Sequence, residues 1–284
     1  MKKKFALLLT LPLLIGAGWV ALQLRPTNVT EAQQNQLASL TRTPGQEDVD
    51  ALDKVLKTYV NEEGLVDYLA LQDDRDDLDA YNASIALVNS DTFDQWSEDQ
   101  QVAYLINAYN SLTLKSIINE APIKKSIKDI LGVWKINRHP LMERQLTLDS
   151  IEHEILRKNY TEPRIHAALV CAAVSCPYLR TEAYRAETLD EQLDDQVKIF
   201  LDRDEVFTID REKGEVRISA IFGWFGQDWV PQYGVKEGFA GNDNEKAVLN
   251  FISQYLPSED QSYLKDGDYK VAYSGYDWSL NRQR

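Results

Sequence analysis

The stretch WSEDQQVAYLINAYNSLTLKSIINE, residues 96–120, carries the clearest structural signal in this chain. Its apolar residues recur at helical spacing on more than one face, which predicts a long and largely buried helix. Ser97 and Gln100 match the capping-box pattern at its start, and Pro122 marks its end. This helix, residues 98–119, is expected to pack near residues 164–171.

Two amides, Asn107 and Asn110, lie in the middle of that helix among apolar residues. A buried amide needs hydrogen-bond partners. We expect each either to bond a neighbouring loop or to line a binding site.

Further elements follow on the C-terminal side of this helix. LDSIEHEILRKN, residues 148–159, and TLDEQLDDQVKIFLD, residues 188–202, predict two more helices with N-caps at Asp149 and Thr188. Between them PRIHAALVC is apolar and short, which favours a buried strand from Arg164 to Cys171.

The C-terminal third combines strands with one more helix. VFTIDREKGEVRIS, residues 206–219, predicts a β-hairpin in which Gly214 adopts positive φ. A helix is expected within residues 244–256 and a strand that enters a loop within 269–280. Because strands and helices do not alternate regularly, the predicted fold class is α+β: long helices packed on a small sheet with a hairpin, in a single domain.

The N-terminus predicts export. Three lysines precede an apolar run in residues 5–24, the pattern of a signal sequence or an uncleaved membrane anchor, so residues 1–25 are assigned to one of these. Residues 26–46 are polar and predict a tether. Residues 47–284 are then the single domain, on the periplasmic or extracytoplasmic side of the inner membrane.

Charge narrows the choice of partners. The chain carries a net charge of −14 at pH 7, which argues against nucleic acid and anionic lipid as ligands. The inner membrane is expected as a partner through the N-terminal segment alone. No cofactor is predicted, and no protein partner can be named.

Both cysteines of the chain, Cys171 and Cys176, lie in HAALVCAAVSCPYLR, residues 166–180, beside one of three histidines. Four interpretations stay open: a disulfide, which an oxidising compartment favours; a Cys176 nucleophile; two inert buried thiols; or a metal site. His166 and the cysteines fit no common zinc spacing, so no metal is predicted.

The nucleophile interpretation depends on how the chain turns. On a strand, His166 and Cys171 would point to opposite faces, whereas Cys176 would sit in a turn before Pro177 and a possible helix start. A turn that folds back would bring His166 to Cys176, the minimum apparatus for nucleophilic catalysis. Glu152 and Glu154, on the preceding predicted helix, are the acidic candidates to orient the histidine, and Glu152 is assigned this role.

Aromatic residues with carboxylates and amides suggest a binding surface. IFGWFGQDW contains Trp224 and Asp228, and YDWSLN contains Asp277. Such sets bind sugars or peptides, although most aromatic clusters pack in the core. Together with Asn107 and Asn110, these three residues are the candidate binding residues.

From about Val66 to Asn281 the chain resembles the domain of unknown function 547 family. The matching segments are VDYLAL, YLINAYNSLTLK, SIKDI, LTLDSIEHEILR, PRIHAALVCAAVSCPYLRTEAY, LDEQLDD, ISAIFGWFGQDW and YDWSLN. The resemblance implies an exported bacterial member of the family and assigns no reaction.

Two functions of different class therefore remain. One is a Cys/His-dependent hydrolase or acyltransferase that acts on peptide or peptidoglycan-like material, with Cys176, His166 and Glu152 as catalytic residues. The other is a non-catalytic envelope binding domain with a structural Cys171–Cys176 disulfide and a peptide or glycan ligand.

Overall fold

The computed structural model describes residues 48–284. The predicted signal or anchor, residues 1–25, and the predicted tether, residues 26–46, lie outside the described residues. All described residues belong to one compact unit. None of the helices in residues 48–284 has the length and apolar character needed to cross a membrane.

The fold is α+β, as predicted, with many short helices around one long one. The α-helices are α1 Val49–Tyr59, α2 Tyr68–Asp73, α3 Asp76–Ala86, α4 Ser90–Phe93, α5 Glu98–Ile118, α6 Arg157–Asn159, α7 Ile165–Ala168, α8 Leu189–Leu201, α9 Ala220–Phe225, α10 Val230–Tyr233, α11 Asp243–Ser253 and α12 Ser258–Asp266. A π-helix spans Ser150–Leu156, and 3-10 turns span Ile127–Asp129, Ala186–Thr188 and Gly226–Trp229.

The long helix α5 confirms the prediction from the opening stretch. Ser97 and Gln100 form both bonds of the capping box. Almost every side chain from Val102 to Ile118 is buried, so the helix is surrounded by other elements. Helices α2 and α3 and the π-helix pack against it. Its length and burial make it the support on which the site is built.

Two small sheets complete the fold. Strands β1 His139–Leu141 and β2 Arg144–Leu146 form an antiparallel pair that the sequence pattern did not indicate. The predicted hairpin is confirmed as β3 Phe207–Asp210 and β4 Glu215–Ile218, with Gly214 at φ +60°. Strand β5 Lys270–Tyr273 adds to β4 in parallel, so the sheet order is β3-β4-β5.

The predicted strand Arg164–Cys171 is wrong. The segment forms the single helical turn α7, after which the backbone is irregular. All four residues of α7 are buried, so the sequence shows no polar face by which a helix could be told from a strand. The expectation that His166 and Cys171 point to opposite faces of a strand is therefore also wrong, because both residues line one cavity.

Asp149 and Thr188 occupy the N-cap positions of the two helices, as predicted, but the predicted capping bonds are absent. Neither side chain accepts a hydrogen bond from the first backbone N–H groups of the helix that follows it. The first of these helices begins instead with reciprocal bonds between Thr147 and Ser150 and continues as a π-helix. π-Helical turns are rare and frequently occur at functional sites.

Candidate active site

A cavity of about 300 Å³ brings together the cysteine loop, the π-helix and the C-terminal aromatic residues. Its wall is formed by Tyr109, Trp134, Lys135, Asp149, Glu152, His153, His166, Leu169, Cys171, Cys176, Ile221, Trp224, Phe225, Tyr276 and Trp278. Five residues predicted from the sequence therefore line one cavity: Cys171, Cys176, His166, Glu152 and Trp224.

The two sulfur atoms lie at disulfide distance, and neither cysteine is free. The backbone N–H of Cys171 donates to the Sγ of Cys176 at 2.9 Å. The hydroxyl of Tyr276 lies 3.3 Å from each sulfur. Cys176 is buried and Cys171 is partly exposed, so Cys171 is the sulfur residue nearer to solvent.

The loop that carries the cysteines is held by the C-terminal segment. Val174 N–H donates to the carbonyl of Ser279 at 2.8 Å, and Asp277 N–H donates to Ser175 Oγ at 2.8 Å. Ala172 has φ +62°, a conformation that costs a non-glycine residue energy. The loop is therefore fixed on the N-terminal side of Cys176.

The guanidinium of Arg203 also holds the cysteine loop in place. It donates to the carbonyl of Cys176 at 2.6 Å and to that of Val174 at 2.9 Å. Its planar group also lies over the ring of Tyr178, with 4.3 Å between Cζ and the ring centroid. Arg203 is buried, and its contacts were not foreseen from the sequence.

The imidazole of His166 is held in one orientation. Its Nε2 lies 2.8 Å from Asp228 Oδ2, and its ring stacks on Phe225 with centroids 4.5 Å apart. Trp229 packs at 5.1 Å. Because a carboxylate only accepts, Nε2 carries the proton in this bond, and in a neutral ring Nδ1 keeps its lone pair.

Asp228 is held in turn by Arg157. Arg157 Nε donates to Oδ2 at 2.6 Å and Nη2 donates to Oδ1 at 3.0 Å, a bidentate pair. Burial raises the pKa of Asp228, but the hydrogen bonds from His166 and Arg157 outweigh it and lower the pKa to about 2. The carboxylate is therefore ionised at neutral pH, as a group that orients an imidazole must be.

Glu152 does not contact His166. It lies on the π-helix, with its carboxylate 4.0 Å from His153 Nδ1. Burial, together with the charge of Glu152 and a hydrogen bond to it, raises the pKa of Tyr109 well above its usual value. The carboxylate in contact with His166 is that of Asp228, which the sequence had suggested as a binding residue.

One wall of the cavity is aromatic. Tyr276 packs against both Trp224 and Trp278, with centroid distances of 4.8 and 4.6 Å, and Trp224 stacks on Trp278 at 5.9 Å. Trp134 meets Trp278 edge-on at 6.0 Å. Trp224 is 51% exposed, which is unusual for a residue of this size. The wall therefore presents aromatic faces to a ligand.

The side chains of three predicted binding residues form hydrogen bonds with the protein backbone instead. Asn107 exchanges two hydrogen bonds with the backbone of Tyr184, and Asn110 bonds the Ala168 carbonyl and the Val170 N–H. Asp277 Oδ1 accepts from Ser279 N–H at 2.8 Å. The two asparagines thus tie α5 to the segments on either side of the cysteines.

The titratable side chains that line the cavity suit acid–base and thiol chemistry. Within residues 48–284, no three His, Cys, Asp or Glu side chains are arranged to hold a metal ion. A histidine fixed by a carboxylate, on the same wall as a cysteine, has the composition of a Cys–His–Asp triad.

Comparison with known proteins adds one family. Residues 93–201 match the model of the family described as "Protein of unknown function, DUF547". No curated protein and no solved structure matches the chain. Asp228 and the aromatic residues Trp224, Tyr276 and Trp278 lie beyond the matched segment. The matched segment contains the long helix, the π-helix and the cysteine loop.

Proposed function

We propose that this protein is a thiol-dependent hydrolase or acyltransferase of the cell envelope that acts on peptide or peptidoglycan-like material. The observation that carries the proposal is the 2.8 Å contact between His166 Nε2 and Asp228 Oδ2, on the wall of the cavity that both cysteines line. Cys176 is the nucleophile, His166 the general base and acid, and Asp228 positions the imidazole.

The reaction begins with reduction of the disulfide. An external dithiol supplies two electrons and two protons, becomes a disulfide itself, and leaves Cys171 and Cys176 as thiols. Cys176 then gives its proton to Nδ1 of His166, and the thiolate attacks the carbonyl carbon of the substrate. The bond to the leaving group breaks, His166 returns the proton to that group, and water or an amine releases the acyl group from sulfur.

Cys176 is preferred over Cys171 because the backbone N–H of Cys171 donates to its sulfur. The Tyr276 hydroxyl lies 3.3 Å from both sulfurs and can donate to that of Cys176 as well. Hydrogen bonds to a thiolate favour the charged form. The irregular loop that replaces the predicted strand also leaves His166 and Cys176 on one cavity.

The envelope location and bacterial export are part of the proposal and rest on the sequence of residues 1–25. A phosphatase fused after Arg284 is expected to be active, because the basic start of the chain keeps the N-terminus inside and sends the rest across the membrane. A stable but inactive fusion would overturn the location.

A second candidate is a non-catalytic binding domain with a structural disulfide. It is favoured by the disulfide distance between the sulfurs and by the exposed aromatic wall beside them. In that case the site binds a peptide or glycan, and reduction changes stability without producing turnover.

Turnover after reduction decides between the two. Hydrolysis of an N-acetylated amino-acid p-nitrophenyl ester and of peptidoglycan stem peptides should be measured with oxidised and with reduced full-length protein. The thiol proposal predicts activity only after reduction, lost in Cys176→Ser and retained in Cys171→Ser. Equal rates for reduced protein and Cys176→Ser would overturn it and leave the binding domain.

A further inference from the structure

The proposed thiol chemistry makes no use of Glu152, although its side chain is only 13% exposed. Among residues 48–284, no lysine or arginine nitrogen lies within 4 Å of this carboxylate; the ion-pair partner within that distance is the ring of His153, at 4.0 Å. A mostly buried carboxylate is costly unless it is paired. The carboxylate of Glu152 accepts a hydrogen bond from the Tyr109 hydroxyl and feels the charge of Arg157 from farther than 4 Å, but it forms no ion pair with a lysine or arginine of the described residues.

His153 does not supply the missing charge. Arg157 Nη1 lies 2.8 Å from His153 Nδ1, and a guanidinium can only donate. Nδ1 must therefore offer its lone pair, so the imidazole is neutral with its proton on Nε2. That nitrogen lies 3.6 Å from the carboxylate of Asp149, a second acidic group on the cavity wall.

The remaining charges of the wall leave an excess of negative charge. Lys135 is the cation among the lining residues; its side chain is 79% exposed and lies 3.6 Å from Asp149. The guanidinium of Arg157 is committed to Asp228. Against one solvent-exposed lysine stand two carboxylates, so the cavity favours a ligand with positive charge.

The aromatic wall described above fits the same kind of ligand. Trp is the side chain whose face best attracts a cation, and the attraction grows as the cation loses water. The Lys128 ammonium already lies 5.0 Å from the centroid of Trp278. A cavity with tryptophan faces on one wall and carboxylates on another combines both means of binding an ammonium group.

We infer that this cavity recognises an ammonium group on its substrate, which Glu152 binds through hydrogen bonds while Trp224 and Trp278 cover its aliphatic stem. The inference rests on the proposed function, since it names the substrate class: an acyl compound that carries a free amine, such as a peptide with a lysine-like side chain. Because hydrogen bonds to Glu152 require N–H groups, a primary ammonium should bind better than a quaternary one.

Binding to the oxidised full-length protein tests this without any turnover. Tryptophan fluorescence should be titrated with Nα-acetyl-lysine amide, its trimethylammonium derivative and its neutral Nε-acetyl derivative. We expect the lysine amide to bind about tenfold more tightly than the neutral compound, because one charge-assisted hydrogen bond is worth about that factor. The trimethylammonium compound should bind with intermediate affinity.

The chain offers a matched pair of variants for the same titration. Glu152→Gln should weaken binding of the lysine amide about tenfold and leave the neutral compound unchanged. Glu154→Gln lies on the same helix, is 67% exposed and pairs with Lys158, so it should change nothing. Trp224→Leu should weaken both charged compounds without loss of the fold, since Trp224 is exposed.

Equal affinity for charged and neutral compounds, absence of binding by the lysine amide, or equal effects of the two glutamine variants would overturn the inference. The oxidised protein has no free thiol, so these outcomes do not depend on Cys176. Failure of the thiol chemistry would show separately, as activity that survives Cys176→Ser.

Discussion

His166 Nε2 and Asp228 Oδ2 lie 2.8 Å apart, although 62 residues separate them in sequence. The bond joins the one-turn helix before the cysteines to the 3-10 turn Gly226–Trp229. Stacking on Phe225 and the bidentate contact with Arg157 leave the imidazole and the carboxylate little freedom. The pair is thus a rigid part of the cavity wall, and it can be tested by stability as well as by chemistry.

The Asp228 carboxylate should stabilise the fold in a pH-dependent way. Its pKa is lowered to about 2 in the folded protein, so the stabilisation is full above pH 4 or so and is lost as pH falls toward 2. Asp228→Asn should therefore lower the free energy of unfolding by about 1–2 kcal/mol at pH 7, and by much less near pH 2.5. Urea denaturation at both pH values measures this, with exposed Asp268→Asn as the control; a pH-independent difference would contradict it.

The Tyr276 hydroxyl should lower the pKa of the Cys176 thiol. Tyr276→Phe keeps the aromatic wall and removes one donor to Cys176, which should raise the pKa of the thiol. Alkylation of reduced protein by iodoacetamide at pH 7 should slow by roughly two- to tenfold, the value of one hydrogen bond. Tyr273→Phe, whose hydroxyl bonds Glu245, is the control. An alkylation rate unchanged by Tyr276→Phe would show that this hydroxyl does not stabilise the thiolate.

Asn107 should be structural. Both ends of its amide bond the backbone of Tyr184, so Asn107→Leu leaves an N–H and a carbonyl of that residue unpaired in the core. The variant should lose about 1–3 kcal/mol of unfolding free energy, seen as a lower urea midpoint. An unchanged midpoint would mean that water or another group satisfies Tyr184 and that the amide is dispensable for the fold.

Reduction of the disulfide should weaken the fold modestly. A loop as short as the one from Cys171 to Cys176 contributes about 2 kcal/mol by limiting the unfolded chain. Dithiothreitol should lower the urea midpoint of the oxidised protein accordingly and leave the double variant Cys171→Ser, Cys176→Ser unaffected. A wild-type midpoint insensitive to reductant, with full thiol titration, would show that the bond does not contribute to stability.

Sequence periodicity predicted the long helix and the hairpin because each repeats a pattern over many residues. It failed at PRIHAALVC, since a four-residue buried helix shows no period that distinguishes it from a strand. His166 was also paired with Glu152, an acidic residue on the helix before it in sequence. Asp228 could not be identified from its position in the sequence, because its contact with His166 depends on how distant short helices pack. Arg157 and Arg203 do not belong to any sequence motif that predicts their contacts.

The central claim is that reduced Cys176 accepts an acyl group with help from His166. Intact-protein and peptide mass spectrometry of reduced protein, after brief exposure to an N-acetylated amino-acid p-nitrophenyl ester, tests it most directly. The account predicts one acyl group on Cys176, formed more slowly in His166→Ala and in Asp228→Ala, and formed at a near wild-type rate in Asp228→Glu. Acylation on Cys171 alone, or no acylation of reduced protein, would contradict it.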